Sequence, residues 1–230
     1  MYFSGAIFMF GMSHRPPEGE IAKFGLNSIK EGWRFLKNRQ ILQANFAIDF
    51  NAMVFGMPAA LFPAVGTVVL GGDASTVGLL YAAPGAGALL AALTSGWVGT
   101  IRRQGRAVIL SVILWGAGIA AFGFSRTVWV ALVFLAIAGG ADVISAVFRN
   151  TILQLAVPDN LRGRLSSIHV AVSSGGPRLG DFEAGAVASL VSVPFSIVSG
   201  GIACILGALF IRKRMPELDA YVDTGDDSTS

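Results

Sequence analysis

Six ionisable residues lie inside apolar stretches long enough to cross a membrane, where they could carry a proton or bind a charged substrate. They are Asp49, Asp142, Arg149, Arg178, Asp181 and Glu183. Ionisable groups are costly in hydrocarbon and usually face a bundle interior or a water-filled cavity. We predict that all of them except Arg149 line a proton or substrate pathway, and that Arg149 makes a structural ion pair near the adjoining loops.

The carboxyl groups of Asp49 and Asp142 are expected at similar depth on two different helices. At a rise of 1.5 Å per residue, each lies about 12 Å from the cytoplasmic end of its stretch. A carboxyl group at that depth can take up and release a proton. Alternatively, each acid caps or pairs with a neighbouring helix. Asp142, Ser145 and Arg149 fall on one helix face, because seven residues make nearly two turns.

The fifth apolar stretch is the least lipophilic of the set, and a short run in it should weaken or kink an α-helix near the middle of the bilayer. This helix break is predicted at Gly175, Gly176 and Pro177. Arg178 and Asp181 are three residues apart, so they can pair on one face. An interrupted, charged span is typical of a transporter binding site, whereas small residues also permit close helix packing. Both interpretations stay open.

The elements that must position these residues are apolar helices. Of the 230 residues, 53% are hydrophobic and only 13% are charged, about half the charged share of a soluble domain. The apolar residues occur in blocks of about 20, which cross a bilayer as helices. The blocks are 41–62, 75–98, 107–124, 127–150, 165–190 and 193–211. The sequence therefore predicts an all-α membrane protein with six transmembrane helices.

The distribution of positive charge predicts the orientation of these helices. All of the 17 Lys and Arg residues except Arg126, Arg149 and Arg178 lie beyond the span ends on one side. Cytoplasmic loops carry an excess of Lys and Arg. Both termini are therefore expected in the cytoplasm of a bacterial cell, with the chain in its inner membrane.

Four regions follow from this pattern. Residues 1–12 are predicted to be the remnant of a preceding transmembrane helix and 13–40 a basic cytoplasmic linker. Residues 41–211 form the six-helix bundle, and 212–230 form a disordered cytoplasmic tail. The linker contains a basic amphipathic helix, which either lies on the inner leaflet or is a solvated connector.

Several kinds of chemistry lack their residues. The sequence has no GxxxxGK(S/T) phosphate loop and no HExxH metal motif, and its single cysteine, Cys204, fits no metal site. His169 has no companion histidine and is expected to be packed or interfacial. The sequence therefore predicts no enzyme, no cofactor, no metal and no nucleic-acid partner. The expected partners are the lipid bilayer and a small-molecule substrate.

Several motifs carry a resemblance to a known family. Residues 96–106 resemble the cytoplasmic loop motif of the major facilitator superfamily, although its usual acid is absent. Residues 158–164 (PDNLRGR) and 179–185 (LGDFEAG) resemble the second half of the enterobactin-exporter-like branch of that superfamily, and the runs at 33–36 (WRFL) and 55–58 (FGMP) agree with it. The loop residues that carry the resemblance are Arg102, Arg103, Gly105, Arg106, Arg162, Gly163 and Arg164.

The resemblance implies a twelve-helix fold of two six-helix halves with the substrate between them, and this chain resembles the second half of a major facilitator fold. It also implies efflux by a proton-driven antiporter of small amphipathic compounds, such as siderophores or drugs. A substrate path needs two halves, so a missing N-terminal six-helix half or a second copy is the expected partner.

Two other interpretations remain. One is a truncated, non-transporting membrane fragment that only associates with other membrane subunits. The other is the permease of an ATP-driven importer, which the short basic loops disfavour because such a permease needs a cytoplasmic coupling loop.

Overall fold

Long α-helices joined by short turns make up the described part of the chain, which is residues 35–37 and 39–222 of a computed structural model. The long helices are α1 (Gln40–Phe55), α2 (Ala74–Leu93), α3 (Gln104–Gly123), α4 (Val128–Ala156), α5 (Asp159–Leu190) and α6 (Val193–Arg214), and a short α7 (Pro216–Ala220) follows. Short helical turns at Ala59–Leu61, Phe62–Ala64 and Val65–Val69 follow α1, and a 3-10 turn at Ser95–Thr100 follows α2. The predicted helix remnant at 1–12 and nearly all of the predicted linker at 13–40 lie outside the described residues.

Five of these segments are long and apolar enough to cross a membrane. They are Gln40–Val69, Ala74–Leu93, Gln104–Gly123, Val128–Ala156 and Val193–Arg214. Within residues 39–222 the structure contains no strand, and the predicted all-α membrane fold is confirmed. The predicted span 165–190 is the exception to the count of six apolar spans. It forms the greater part of α5, which has 32 residues, but the polar run 173–185 lowers its hydropathy below that of the other five.

The helix α5 is continuous from Asp159 to Leu190, with Pro177 in its interior. The helix is therefore not interrupted at Gly175, Gly176 and Pro177, and the predicted weakening or kink at these residues stays a prediction. Proline removes one N–H donor from the ladder, and one lost hydrogen bond does not end a helix that is held by its packing. Small residues serve that packing, because a Cβ atom at Gly176 would lie 2.7 Å from Cβ of Met53 on α1.

Two further helices cross at a distance that only small residues permit. A Cβ atom at Gly87 of α2 would collide with the carbonyl group of Ala136 on α4, and a Cβ atom at Gly139 of α4 would collide with the carbonyl group of Pro84. The two backbones therefore touch without intervening side chains, as small residues allow in membrane helix pairs. This contact fixes α4, and so the charged residues of α4, relative to α2.

A buried aromatic group joins the end of α1 to α3 on the other side of the bundle. The side chain of Trp115 is buried, and its indole N–H donates a hydrogen bond to the carbonyl oxygen of Gly56 at 2.7 Å. Phe62 packs edge-on against Phe122 with ring centroids 5.7 Å apart. A buried indole N–H needs such an acceptor, so this contact sets where the chain leaves α1.

The short helix α7 packs under one end of the bundle. Leu218 is fully buried, its carbonyl group occupies the place where Gly105 of α3 would carry a Cβ atom, and Arg212 lies 3.1 Å from Asp219. The tail predicted to be disordered from residue 212 is thus helical and packed as far as residue 220, because it buries an apolar side chain. Residues 223–230 lie outside the described part.

Candidate functional site

A buried ion pair joins α1 to α4. Asp49 and Arg149 are exposed to only 1% and 3%, and Nη1 of Arg149 lies 3.1 Å from Oδ1 of Asp49. The same guanidinium group extends to a second acid, with Nη2 located 3.7 Å from Oδ1 of Asp142. One cation is therefore shared by two carboxylates from different helices.

A histidine from α5 completes this group of ionisable side chains. Nδ1 of His169 lies 3.5 Å from Oδ2 of Asp49, and its ring meets the edge of Phe46 with centroids 6.2 Å apart. We call Asp49, Asp142, Arg149 and His169 the polar cluster. Its members form a chain in space, from Asp142 through Arg149 and Asp49 to His169.

The two ends of this chain of charges are accessible and its centre is not. The side chains of Asp142 and His169 are 30% and 29% exposed, whereas that of Asp49 is 2% exposed. A buried charge reaches water only through a neighbour that water can touch. Within the cluster, Asp142 and His169 are therefore the members that lie between the buried acid and the surface of the bundle.

The buried centre has unused hydrogen-bonding capacity. Among the described residues, neither carboxylate oxygen of Asp49 and neither Nε nor Nη1 of Arg149 has an aligned hydrogen-bond partner, and Oγ of buried Ser145 has none. The ion pair is close in distance but is not aligned as a hydrogen bond. Asn45 supports it from α1 by donating to the backbone carbonyl of Arg149 at 3.3 Å. Buried polar atoms are usually satisfied, so these atoms of Asp49, Ser145 and Arg149 are an exception among the described residues.

The charges of the polar cluster do not balance when both acids are ionised and His169 is neutral. Two carboxylates then face one guanidinium, which leaves one uncompensated negative charge in a largely buried place. A buried excess charge is costly unless it is paired. One added proton, on the imidazole or on an acid, neutralises the cluster.

The other three predicted pathway residues lie further along α5 and do not join the polar cluster. Asp181 accepts a hydrogen bond from the backbone N–H of Ala60 at 2.9 Å, so it anchors the turn after α1 instead of pairing with Arg178 as expected. Arg178 is exposed and Glu183 is half-buried. His169 and Arg178 are nine residues apart on one helix, which is about 13 Å along its axis.

One side of α5 is packed and the opposite side is open. Leu165, Gly176, Gly180 and Ala184 are buried, and a Cβ atom at Gly180 would collide with the carbonyl group of Val54 on α1. The open side carries residues four apart in sequence, which places them in one stripe. The stripe consists of Ser166, Val170, Ser174, Arg178 and Phe182, all exposed.

The loop residues that carry the family resemblance lie at the end of the bundle where α7 packs. Arg102, Arg103 and Arg106 are exposed, and Gly105 is buried beneath Leu218. Arg162, Gly163 and Arg164 lie near the start of α5, and the side chains of the two arginines lie outside the described part of the chain.

Sequence reasoning did not assign the role of His169 or of Asn45. A lone histidine gives no spacing signal, because its partner lies on another helix. Depth in the membrane is the signal that could have identified the contact. His169 is ten residues into α5 and Asp49 is nine residues into α1. The two residues therefore lie about 15 Å and 13 Å from the starts of their helices, which are at the same end of the bundle.

Comparison with known proteins finds a matching family and relatives that are described as exporters. A family described as transmembrane secretion effector matches residues 13–227. The enterobactin exporter EntS of Citrobacter koseri is 25% identical over 206 residues, which is 90% of this chain and 49% of the relative. EntS of Salmonella typhimurium is 31% identical over 154 residues, which is 66% of this chain and 37% of the relative.

A third relative shows the same relation of lengths. EntS of Shigella flexneri is 24% identical over 216 residues, which is 94% of this chain and 51% of the relative. The chain thus spans about half the length of the curated relatives it matches. No solved structure matches it.

Proposed function

This chain belongs to the transmembrane secretion effector family of the major facilitator superfamily, and on that premise we propose that it forms one six-helix half of a proton-coupled exporter. The substrate would be a small amphipathic compound that passes between this half and a second one. The observation that carries the proposal is the contrast between α5 and its neighbours. α5 is as long as a membrane span but is not among the five apolar ones.

The stripe on α5 supports a polar passage along this helix. A helix that faced lipid on its open side would carry apolar residues there. The exposed stripe instead includes two serines and the cation Arg178, together with Val170 and Phe182. Such a mixed lining suits a compound that has both polar groups and aromatic or apolar surface. Arg178 could attract an anionic group of the substrate, while Asp181 holds the adjoining turn in place.

The polar cluster supports proton coupling. Its unbalanced charge gives one proton a place to bind, and Arg149 can strengthen its contact with either Asp49 or Asp142 when the other acid is protonated. Redistribution of one cation between acids on α1 and α4 would alter the contact between these helices. That is how protonation could bias one arrangement of the half over another.

The orientation that we propose has both ends of this chain in the cytoplasm and the bundle in the inner membrane. The exposed arginines of the loop before α3 and the cations at the end of α6 lie at the end of the bundle where α7 packs. Excess positive charge marks the cytoplasmic side. The opposite end carries Asp73, before α2, and Arg126, before α4.

The printed names of the relatives suggest the chemical class of the substrate. They are described as enterobactin exporters, so we propose a catecholate siderophore or a compound of similar aromatic and polar character. A second six-helix half, from another chain or from a second copy of this one, would cover the open stripe of α5.

Export is tested in a bacterial strain that lacks this gene and the resident siderophore exporter. The distribution of a catecholate siderophore and of a lipophilic dye between cells and medium is measured in two arms. One arm expresses the 230 residues alone, and the other adds the N-terminal half of an enterobactin exporter. Export restored in either arm, and abolished by a protonophore, is the expected result. Correct membrane insertion without export in both arms would contradict the proposal and favour a chain that only associates with other subunits.

Variants of the two acids test the coupling in whichever arm exports. Asp49→Asn and Asp142→Asn should each slow gradient-driven export at least about tenfold, since proton transfer by a positioned group is worth at least that much, while insertion stays normal. Asp73→Asn is the matched control, because Asp73 is exposed and distant from the polar cluster. Unchanged export by both cluster variants would rule out these acids as proton carriers.

Orientation has its own test. With Cys204 replaced by Ser, a cysteine at position 73 should react with a membrane-impermeant reagent from outside the cell, and one at position 106 should not. The reverse pattern would overturn the proposed orientation. Replacement of Arg102, Arg103, Arg162 and Arg164 by Gln should then weaken the preference for this orientation or change the rate of export.

A further inference from the structure

The imidazole of His169 differs from every other member of the polar cluster in its position. It is the only one contributed by α5, the helix whose open side we propose as part of the substrate path, and it contacts the buried acid directly at 3.5 Å. Sequence patterns gave it no role, and none of the functional roles proposed above for Asp49, Asp142 or Arg149 requires it.

We infer that His169 is the group through which Asp49 exchanges its proton with water, an inference that rests on the proposed proton-coupled function. Asp49 is 2% exposed and cannot meet water itself, whereas the side chain of His169 is 29% exposed. Imidazole is suited to this task because it can bind a proton on one nitrogen while it releases one from the other.

The step conserves atoms and charge. The N–H bond at Nδ1 of the imidazolium breaks, and an O–H bond forms at Oδ2 of Asp49. The products are a neutral imidazole and a neutral carboxylic acid. The imidazolium forms beforehand, when Nε2, the nitrogen away from Asp49, takes a proton from water, and the transfer leaves the hydrogen on Nε2. In the reverse direction Nδ1 takes the proton back from Asp49 and Nε2 releases its own proton to water. The separation of 3.5 Å between the two heavy atoms is within a small ring rotation of a hydrogen bond.

The groups around His169 and Asp49 allow the proton to pass from the imidazole to the carboxylate and to return. Titratable or charged groups on the elements packed around this pair are Asp142 and Arg149 on α4 and Cys204 on α6, with Arg212, Lys213 and Arg214 in the last turn of α6. When Asp49 is neutral, Arg149 is released to pair with Asp142 alone, 3.7 Å away. When Asp49 is charged, Arg149 returns to it at 3.1 Å. The proton on Asp49 would thus be linked to the position of one guanidinium group between α1 and α4.

Asp142 is the competing route, because its side chain is 30% exposed. The guanidinium group of Arg149 lies between Asp142 and Asp49. Direct proton transfer between the two acids is therefore unfavourable, since arginine remains charged and passes no proton. His169 has no such barrier to Asp49. The geometry therefore assigns loading of Asp49 to His169.

The first test uses nitrogen NMR of the imidazole and does not depend on transport. The chain has two histidines, so His14→Gln leaves His169 as the single imidazole signal in detergent micelles. The midpoint of its pH-dependent signal should differ between the protein with Asp49 present and the Asp49→Asn variant, because the substitution removes the carboxylate 3.5 Å from Nδ1. Asp73→Asn is the control and should leave the midpoint in place. A midpoint that is the same with Asp49 present and in the Asp49→Asn variant would overturn the inference, as would an imidazole that does not titrate.

A second measurement covers the case in which Asp49→Asn fails to fold. Infrared difference spectra of the protein with Asp49 present should show a carboxyl band that changes over the same pH range as the imidazole signal, since interacting groups titrate as a pair. Independent ranges for the two signals would contradict the inference.

The third test asks whether the transfer matters to export. His169→Gln should slow export at least about tenfold, flatten its pH profile and leave the substrate concentration for half-maximal rate within about twofold. His14→Gln is the matched control. A profile in His169→Gln that equals that of the control would overturn the inference. If the chain exports nothing at all, the proposed function fails while the NMR titration still decides the role of His169.

Discussion

Nη1 of Arg149 lies 3.1 Å from Oδ1 of Asp49, and both side chains are almost completely buried. Removal of one partner leaves the other charged and unpaired in a place that water does not reach. We therefore expect Arg149→Met to destabilise the bundle by about 3 kcal/mol or more. The double variant Asp49→Asn, Arg149→Met should recover part of that loss, because it removes both charges. Unfolding of the purified protein in mixed micelles by denaturing detergent measures both values, and equal stability of the single and double variants would show that the pair is not coupled.

The hydrogen bond from Trp115 to Gly56 gives a second prediction. Trp115→Phe removes the indole donor and leaves the buried carbonyl oxygen of Gly56 without it, so a loss of about 1–3 kcal/mol is expected. Trp129→Phe is the control, since Trp129 is 78% exposed and should tolerate the change. The midpoint of thermal unfolding distinguishes the two, and a Trp129 variant that loses as much as the Trp115 variant would count against this role for the bond.

Two glycines on α2 allow a matched comparison. Gly87→Ala places a Cβ atom against the carbonyl group of Ala136, whereas a Cβ atom at Gly85 meets nothing within 4 Å. We expect Gly87→Ala to cost about 1–3 kcal/mol through forced separation of α2 and α4. Gly85→Ala should be neutral or slightly stabilising, because alanine favours the helix. Thermal unfolding of the two variants side by side checks this, and equal effects would mean that the helices are not in contact here.

Asp73 gives a prediction for pH. Hydrogen bonds from the Ser75 hydroxyl and the Thr76 backbone N–H lower the pKa of this N-terminal capping carboxyl of α2 from 3.8 to about 2. A folded-state pKa below the unfolded value means that the stabilisation is present above pH 3.8 and is lost as pH falls towards 2. Asp73→Asn keeps the cap but should remove this part of the acid sensitivity. Unfolding midpoints of the two proteins at about pH 5 and about pH 2.5 would measure the difference, and identical acid sensitivity would argue against the cap.

Periodicity and hydropathy are local properties of the sequence, and they predicted the positions of the helices and the depth of residues along them. The helices α1 to α6 occur where the sequence predicts the six blocks, including the least apolar one, 165–190. The common depth of Asp49 and Asp142 was also predictable, because it follows from residue counts along two helices. Asp49 and Asp142 share Arg149 only if α1 and α4 are rotated about their axes so that these side chains face each other. The sequence indicated this for α4 alone, because Asp142 and Arg149 lie on one face of that helix.

Other features depend on contacts between segments distant in sequence. His169 meets Asp49 because α5 packs against α1 at Gly176 and Gly180, and a single sequence does not encode that register visibly. Asp181 accepts a hydrogen bond from the backbone N–H of Ala60 instead of pairing with Arg178. This contact also depends on how α5 packs against the segment that follows α1. The tail after residue 212 looked polar enough to be disordered, yet one leucine in α7 finds a buried place beside Gly105.

The contact between Leu218 and Gly105 has a practical consequence for anyone who attaches a reporter to this protein. A fluorescent domain joined directly after Arg214 would displace α7 and uncover the start of α3, next to the arginines of the loop. Joined after residue 222, the same domain would leave Leu218 in its place. The two fusions differ by only a few residues, yet only the second preserves the fold at that end of the bundle.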